Sequence, residues 1–230
     1  MIKENVRKVR ERIALAASRI NAEAQAITVV AVSKGRSLEE IKEVIEAGIT
    51  DIGENKVREA LIKYNNLQPE TYGLRPVTWH MVGHLQTNKV KDAVKIFGLI
   101  QSVDSLHLAE EIDKQAGKIN KIQNILIEVN TSGERTKFGL KPTDTIEVIK
   151  EIARFKNINI KGLMTIAPVA DSPQEARPYF RRLKELLNEL NANKELNGLS
   201  VLSMGMTDDF EVAIEEGANM VRIGRAIFEG

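Results

Sequence analysis

The chain has 230 residues, with 33 Lys plus Arg and 32 Asp plus Glu, so its formal net charge is +1. This balance argues against general electrostatic binding to nucleic acid, which usually requires a strongly basic domain. The absence of cysteine excludes disulfides, thiolate metal sites and cysteine nucleophiles. The start of the chain is charged and amphipathic, and no apolar run approaches the roughly 18 residues of a membrane span. We therefore expect a soluble, cytoplasmic protein that binds neither nucleic acid nor membrane.

Short runs rich in β-branched residues alternate with segments of helical periodicity along the chain. The sequence predicts strands at residues 28–33, 51–53, 78–83, 99–103, 124–130, 160–166, 199–204 and 220–223. It predicts helices at residues 5–20, 37–47, 57–64, 89–97, 106–119, 143–155, 174–190 and 210–216. Ser37 with Glu40, and Thr143 with Asp144, are the expected N-terminal caps of two of these helices. Strands that alternate with helices favour βαβ units and a parallel sheet.

Eight such units fit a closed (β/α)8 TIM barrel, and we expect one barrel domain over residues 1–230. The alternative, a doubly wound open sheet, usually carries G-x-G-x-x-G after its first strand. The corresponding junction here reads SKGRSLEE, so the barrel is favoured. The chain ends seven residues after Ile223, which leads us to expect no eighth helix there. An extra N-terminal helix at residues 5–20 would close the barrel instead, with Val6, Val9 and Ile13 facing inward.

The active site of a barrel of this kind lies where the strands end and the following loops begin. Lys34 follows the apolar run VVAVS, so we expect its ammonium group in the barrel mouth. Burial there would lower its pKa from about 10.4 and suit it to Schiff-base chemistry with an aldehyde. The structural alternative, weighted about equally, is that Lys34 points outward or pairs with Glu54.

Two glycine-containing segments, LSMGMTDD and VRIGRA, cover the ends of the last two strands. Barrels often build a phosphate site from these loops, and Gly205 and Gly224 would let the backbone approach an anion. The hydroxyls of Ser203 and Thr207 could donate to it. The alternative is that both segments are ordinary turns. In either case we interpret Asp208 and Asp209 as helix-capping residues.

The remaining polar candidates are weaker. His80 and His84 with Asn55 form a poor ligand set, so no metal site is expected. His80 is better interpreted as a residue of the mouth or core, and Trp79 as a contact between barrel and helices. The motifs of serine hydrolases, HExxH metalloproteases and P-loop proteins are missing from the sequence.

The motifs, taken together, resemble those of the pyridoxal phosphate homeostasis proteins, which share the fold of the alanine racemase N-terminal domain. The resemblance rests on VAVSK, DIGENKVRE, WHMVGHLQTNK, EVNTSGERTKFGL, IKGLMTIAP, LSMGMTDDFEVAIEEGANMVRIG and AIF, which occur in family order. It runs from about Ala31 to Phe228, which is nearly the whole chain.

The resemblance implies that the chain binds pyridoxal 5′-phosphate (PLP) as an internal aldimine on Lys34. It places the phosphate near Ser203, Gly205 and the backbone around Gly224 and Arg225. Arg222 would face the pyridine nitrogen, Asn55 would lie beside the ring, and Met204 or Met206 would lie near the phosphate loop. The full set of implied cofactor-binding residues is Lys34, Asn55, Ser203, Met204, Gly205, Arg222, Gly224 and Arg225.

The sequence departs from the family pattern at three positions. Many members have proline where this chain has His84, serine where it has Thr207, and threonine or serine where it has Arg225. Thr207 keeps a hydroxyl, whereas Arg225 loses one and adds a positive charge. His84 could alter access to the mouth.

The function that the resemblance implies is PLP binding in vitamin B6 and amino/keto acid homeostasis, without catalysis. Alanine racemase, by the same resemblance, also needs a tyrosine from a C-terminal domain for which this sequence has no room. Tyr64, Tyr72 and Tyr179 do not lie at predicted strand ends. The alternatives are a slow PLP-dependent racemase or lyase that uses Lys34, and a barrel that binds another phosphate ligand without a Schiff base. Apo PLP-dependent enzymes are possible partners, and we expect a monomer.

Overall fold

The computed structural model describes residues 1–67, 76–193, 196 and 198–230. Within them the strands are β1 Thr28–Val32, β2 Asp51–Glu54, β3 Thr78–Met81, β4 Leu99–Val103, β5 Gln123–Glu128, β6 Ile158–Met164, β7 Val201–Ser203 and β8 Met220–Ile223. The helices are α1 Ile2–Ser18, α2 Leu38–Glu46, α3 Val57–Asn66, α4 Val90–Ile96, α5 Leu106–Gly117, α6 Pro142–Ile152, α7 Arg177–Ala192, α8 Phe210–Glu215 and α9 Arg225–Phe228. None of these helices is long and apolar enough to cross a bilayer.

The strands form a closed parallel barrel in the order β1 to β8. Closure is made by β1 and β8, whose register pairs Thr28 with Met220 and Ala31 with Ile223. The predicted (β/α)8 barrel is therefore confirmed, and the open doubly wound sheet is wrong. Because all strands run in one direction, their carboxyl ends share one face, and the loops after them surround a common mouth.

Alternation along the strands separates two apolar regions. One group of apolar side chains fills the inside of the barrel: Val30, Val82, Leu99, Leu126, Met164 and Met220. The side chains between these positions point outward and pack against the helices, as Ala31, Ile100, Ile125 and Leu202 do. Trp79 belongs to the outer core, where its ring meets the edge of Tyr64 at 6.4 Å between centroids. The interpretation of Trp79 as a barrel–helix contact is confirmed.

Helix α1 closes the side of the barrel near β1 and β8. Val6, Val9 and Ile13 are buried on its inner face, as predicted, and the helix packs on α2, α8 and α9. Asn5 Nδ2 also donates to the carbonyl oxygen of Ile227 at 3.1 Å. The expectation that no helix follows β8 is wrong, because the four-residue helix α9 forms there.

The helix starts show one prediction confirmed and one that is wrong. Ser37 and Glu40 form the expected capping box at the start of α2. Helix α6 begins one residue earlier than the predicted cap, at Pro142, and Lys141 is its N-cap residue. Proline suits the first helical position because its fixed φ is helical and no N–H is required there. Thr143 therefore lies inside the first turn, and its hydroxyl donates to Asp144 at 2.8 Å.

Candidate cofactor site

The loops at the carboxyl ends of β1, β2, β7 and β8 carry the predicted site residues. Lys34 follows β1, Asn55 follows β2, Gly205 follows β7, and Gly224 follows β8. In the closed barrel these ends lie on one face, and β1 and β8 are direct neighbours. The topology therefore brings the predicted lysine and the predicted phosphate loops to the same mouth.

Lys34 is exposed in a turn that follows β1 directly. No described residue forms a hydrogen bond or an ion pair with its side chain. The sequence predicts a lysine withdrawn from water, whereas the structure exposes it, because the turn lies at the rim of the mouth. The alternative pairing with Glu54 is wrong, since a different lysine occupies that carboxylate. The Lys34 amine is free to meet a ligand that enters the mouth.

The lysine that pairs with Glu54 is Lys63 of α3. Its Nζ lies 2.7 Å from Glu54 Oε1 and 2.7 Å from Glu59 Oε1, and its side chain is 7% exposed. Burial raises the pKa of the Glu54 carboxyl, although hydrogen bonds from Lys63 and Ser33 act in the opposite direction. Lys63 Nζ is buried between two carboxylates and a backbone carbonyl, so it is not open to an entering ligand. Of these two lysines, Lys34 is the one suited to attack an aldehyde.

Arg222 of β8 points into the barrel and is buried. Its Nη1 donates to Ser203 Oγ at 2.7 Å, and its Nη2 donates to the carbonyl oxygen of Thr165 at 2.8 Å. Burial lowers the pKa of Arg222 to about 10, against the attraction of Glu128 and Asp209. The guanidinium is therefore still protonated at neutral pH, and it is fixed from two sides beneath the mouth.

A directed series of hydrogen bonds continues from Arg222 across the barrel. Ser203 Oγ donates to Gln101 Oε1 at 2.6 Å, and Gln101 Nε2 lies 2.9 Å from His80 Nδ1. The other ring nitrogen of His80 lies 2.9 Å from Asp51 Oδ1. Because the Gln101 amide nitrogen can only donate, Nδ1 of His80 accepts from it, and Nε2 donates to Asp51. His80 is thus a core residue of the barrel interior, one of the two interpretations that its sequence position allowed.

Ser203 and Met204, two of the predicted cofactor-binding residues, point in opposite directions from β7. Ser203 is fully buried, and its hydroxyl is already bonded to Gln101 and Arg222, so it supports the guanidinium from inside the barrel. Met204 is also fully buried but lies on the opposite face of the chain, in the outer core. The reason is the strand period of two, which turns Met204 away from the barrel axis when Ser203 points toward it. Its side chain therefore does not line the mouth.

The loops after β7 and β8 meet in a cleft of about 750 Å³ that is lined by Met206, Thr207 and Arg225 among others. Gly205 has φ +93°, and a Cβ there would lie 2.6 Å from Ala213 Cβ, so only glycine fits this turn. Thr207 Oγ1 lies 3.4 Å from the backbone nitrogen of Ala226, which joins the two loops.

The charges around this cleft differ from those that the sequence predicted. The Arg225 guanidinium is paired with Asp208, so its added positive charge is partly balanced. Asp209 is the N-cap residue of α8 but makes no side-chain cap bond. Its Oδ1 accepts from the Met206 N–H at 2.6 Å, and it therefore stabilises the loop rather than the helix.

Glu128, at the end of β5, is a further candidate site residue, which is not among the site residues predicted from the sequence. Its carboxyl is buried in the barrel, and no described residue forms a hydrogen bond with it. Burial and, to a smaller extent, the nearby Asp104 raise the pKa of Glu128 to about 7, against the opposing attraction of Arg222. The alternation of Asn124, Leu126 and Glu128 in β5 is the signal that could have placed this side chain in the interior.

His84 connects three loops at the rim. Its Nδ1 lies 3.0 Å from Asp104 Oδ2, and its ring stacks on Phe138 with centroids 3.8 Å apart. The loops after β3, β4 and β5 are thereby joined on the side of the mouth opposite Lys34. The described residues contain no group of three or more His, Cys, Asp or Glu side chains that could hold a metal ion.

Comparison with known proteins places this architecture in a defined class. The family model described as alanine racemase, N-terminal domain, matches residues 2–230. An alanine racemase from Clostridium difficile 630 has the same fold at a TM-score of 0.72 with 16% sequence identity, over 97% of this chain and 56% of that one. The protein is therefore a barrel of the alanine racemase N-terminal type.

Relatives with higher sequence identity show the family within this class. The pyridoxal phosphate homeostasis protein of Aquifex aeolicus is 43% identical over 98% of this chain and 96% of its own length. A structure of PipY from Synechococcus elongatus PCC7942 with PLP bound has a TM-score of 0.82 at 32% identity, over 99% of this chain and 100% of that one. An unknown protein from Bifidobacterium adolescentis matches at a TM-score of 0.93, with 34% identity, 99% of this chain and 94% of that one covered. The chain belongs to the pyridoxal phosphate homeostasis protein family.

Proposed function

We propose that this protein binds PLP through a Schiff base on Lys34 and takes part in PLP and amino/keto acid homeostasis in the cytoplasm. The observation that carries the proposal is an exposed lysine with no partner among the described residues, at the same barrel mouth as a buried, fixed arginine. The family relationship and the PLP-bound PipY structure support the identity of the ligand. The working unit is one barrel over residues 1–230.

The residues present fit the chemistry of this cofactor. Lys34 supplies a primary amine for the aldehyde, and Arg222 supplies a fixed guanidinium below the mouth. Asn55 is half-buried at the end of β2, the strand next to β1. The phosphate would lie against the loops of Gly205 and Gly224, with the Thr207 hydroxyl in place of Ser203. Arg225 contributes its backbone more than its charge, because Asp208 pairs with its guanidinium.

When bound, PLP supplies an electron-accepting ring, and the group at its ring nitrogen decides how strongly it accepts. Arg222 is a protonated guanidinium that donates hydrogen bonds. At neutral pH it does not readily transfer its proton to the ring nitrogen. A ring beside it is a weaker electron acceptor than a ring beside a carboxylate. This chemistry supports a carrier that holds and releases PLP. We propose that apo PLP-dependent enzymes receive the cofactor and that the carrier works as a monomer.

The tyrosine positions support the same conclusion. Tyr64 lies on α3 and Tyr179 on α7, away from the strand ends, and Tyr72 lies outside the described residues. Neither described tyrosine is placed where a second base for racemisation would be needed.

One observation favours a second candidate function, a low PLP-dependent activity on amino acids. Glu128 is a buried carboxyl with a pKa of about 7, which is close to the value that suits a general acid or base. Incubation of the purified protein with single L-amino acids, followed by assays for the D-form and the keto acid, separates the two functions. Turnover near the enzyme median of about 10 per second would contradict the carrier proposal.

Binding itself is tested by titrating the wild-type protein and Lys34→Ala with PLP and recording the visible absorption spectrum. The wild type should develop a Schiff-base band that saturates at one equivalent, and Lys34→Ala should not. Peptide mapping of the borohydride-reduced wild-type complex shows whether Lys63, the second lysine of this region, also carries PLP. Identical bands in the wild type and Lys34→Ala would overturn the assignment of Lys34.

A further inference from the structure

The turn that carries Lys34 is held on both sides by one buried charge cluster, defined here as Glu54, Glu59 and Lys63. The carbonyl oxygen of Ser33 accepts from Lys63 Nζ at 2.6 Å. The backbone N–H of Gly35 donates to Glu59 Oε1 at 2.7 Å. The residues immediately before and after Lys34 are therefore both tied to the charge cluster, although the Lys34 side chain is not.

The charge cluster is itself closely bonded. Glu54 Oε1 accepts from Lys63 Nζ at 2.7 Å and from Ser33 Oγ at 2.5 Å. Lys63 Nζ donates to Glu59 Oε1 at 2.7 Å as well, so its three donors are all in use. Glu54 is fully buried, whereas Glu59 is half-exposed at the edge of the cluster. The arrangement connects α3 and β2 to the turn after β1.

Packing alone does not fix this turn. Gly35 has φ +69°, and a Cβ placed on it would meet no atom within 4 Å, so that side of the turn faces open space. The nearby hydrogen bond from Arg36 N–H to the Ser33 carbonyl at 3.0 Å closes the turn but does not attach it to the barrel. After Lys34 the turn is attached by the bond from the Gly35 N–H to Glu59. One residue further on, the Arg36 side chain also pairs with Glu229 and lies over the Phe228 ring. The bond to Glu59 is therefore the attachment nearest to Lys34 on that side.

We propose that Glu59 and Lys63 are positioning residues for Lys34, which hold its turn so that the amine faces a ligand in the mouth. This inference rests on the proposed function, since it concerns the attachment of PLP to Lys34. Ordering a residue's backbone in advance removes an entropic cost from the attachment step. Lys63 and Glu59 do not touch the ligand and act through the backbone of Ser33 and Gly35.

The decisive test compares Glu59→Ala with Glu59→Gln in the full-length protein. Alanine removes the acceptor of the Gly35 N–H, whereas the glutamine amide keeps an oxygen at that position. The rate at which added PLP attaches to Lys34 is followed by stopped-flow absorbance. Glu59→Ala should attach PLP about tenfold more slowly than the wild type, a factor within the range expected for freeing one residue's backbone. Glu59→Gln should stay within about twofold of the wild type.

Glu147→Ala is the matched control, because it removes an exposed glutamate of α6 whose one ion-pair partner in the described part of the chain is Lys150. Its attachment rate should equal that of the wild type. Thermal melts of all variants verify that each one is folded, which is expected because Glu59 is half-exposed.

Each other outcome has a definite meaning. Attachment by Glu59→Ala at the wild-type rate would overturn the inference. Equal slowing in Glu59→Ala and Glu59→Gln would overturn it too, because loss of charge rather than loss of the Gly35 acceptor would then be the cause. If the wild-type protein itself forms no covalent bond to PLP at Lys34, the proposed function fails, and that failure is separate from the two above.

Discussion

The buried carboxyl of Glu128 predicts a specific dependence of stability on pH. Its pKa is raised from the ordinary value of 4.5 to about 7, mainly by burial. The native state therefore holds this proton more tightly than the unfolded chain does. The contribution of protonated Glu128 to the free energy of unfolding is fully present below pH 4.5 and is lost as the pH rises through about 7. We expect Glu128→Gln, a neutral side chain of the same shape, to remove this loss.

The magnitude follows from the two pKa values. Their difference corresponds to about 3 kcal/mol of unfolding free energy, of which about 2–3 kcal/mol should appear between pH 5 and pH 8. The pKa of about 7 already includes the attraction of Arg222, which favours the ionised form of Glu128. As the pH rises from 5 to 8, the unfolding free energy of Glu128→Gln should therefore increase relative to that of the wild type. At pH 8 the variant should be the more stable protein.

Urea unfolding of both apoproteins at several pH values between 5 and 8 measures the effect. Other groups titrate alike in the two proteins and cancel in the difference. A constant difference in unfolding free energy over this interval would refute the reasoning, because Glu128 would then be ionised in the native state throughout. A reversed slope, with Glu128→Gln less stable at pH 8, would refute it more strongly.

Three further substitutions test the geometry of the site and its support. Gly205→Ala should lose about 3 kcal/mol of stability in denaturant unfolding, because φ is +93° and the added Cβ meets Ala213; an unchanged midpoint would contradict this. Ser203→Ala should cost about 2 kcal/mol in the same assay, because Arg222 and Gln101 each lose a buried partner; a neutral effect would mean that water replaces the hydroxyl. Lys63→Met should lower stability by about 3 kcal/mol, because it leaves a buried carboxylate unpaired, and wild-type thermal stability would refute the ion pair.

The barrel could be predicted from the sequence because strand and helix periods alternate clearly and each has a local cause. The capping box at Ser37 and the apolar face of α1 are examples in which one local signal has one structural outcome. Helix α6 begins earlier than predicted, because Pro142 suits the first helical position. The predicted cap residue, Thr143, therefore lies inside the first turn. The four-residue helix α9 was missed because it is too short to show a period.

The site was predicted only in part, because side-chain direction and pairing depend on contacts distant in sequence. Position alone placed Lys34, Arg222 and Gly205 at or below the mouth. The partner of Glu54 could not be found in this way, because Lys63 reaches it from α3. Gln101 was likewise invisible as a link in the series of hydrogen bonds, since its partners lie on β3 and β7.

The most direct test of the central claim is borohydride reduction of the purified protein after incubation with PLP, followed by peptide mass mapping. The account predicts loss of the visible band and a pyridoxyl mass on the peptide that contains Lys34, with the peptide of Lys63 unmodified. A protein that stays unmodified, or that carries the label at another lysine while Lys34 is unlabelled, would contradict it.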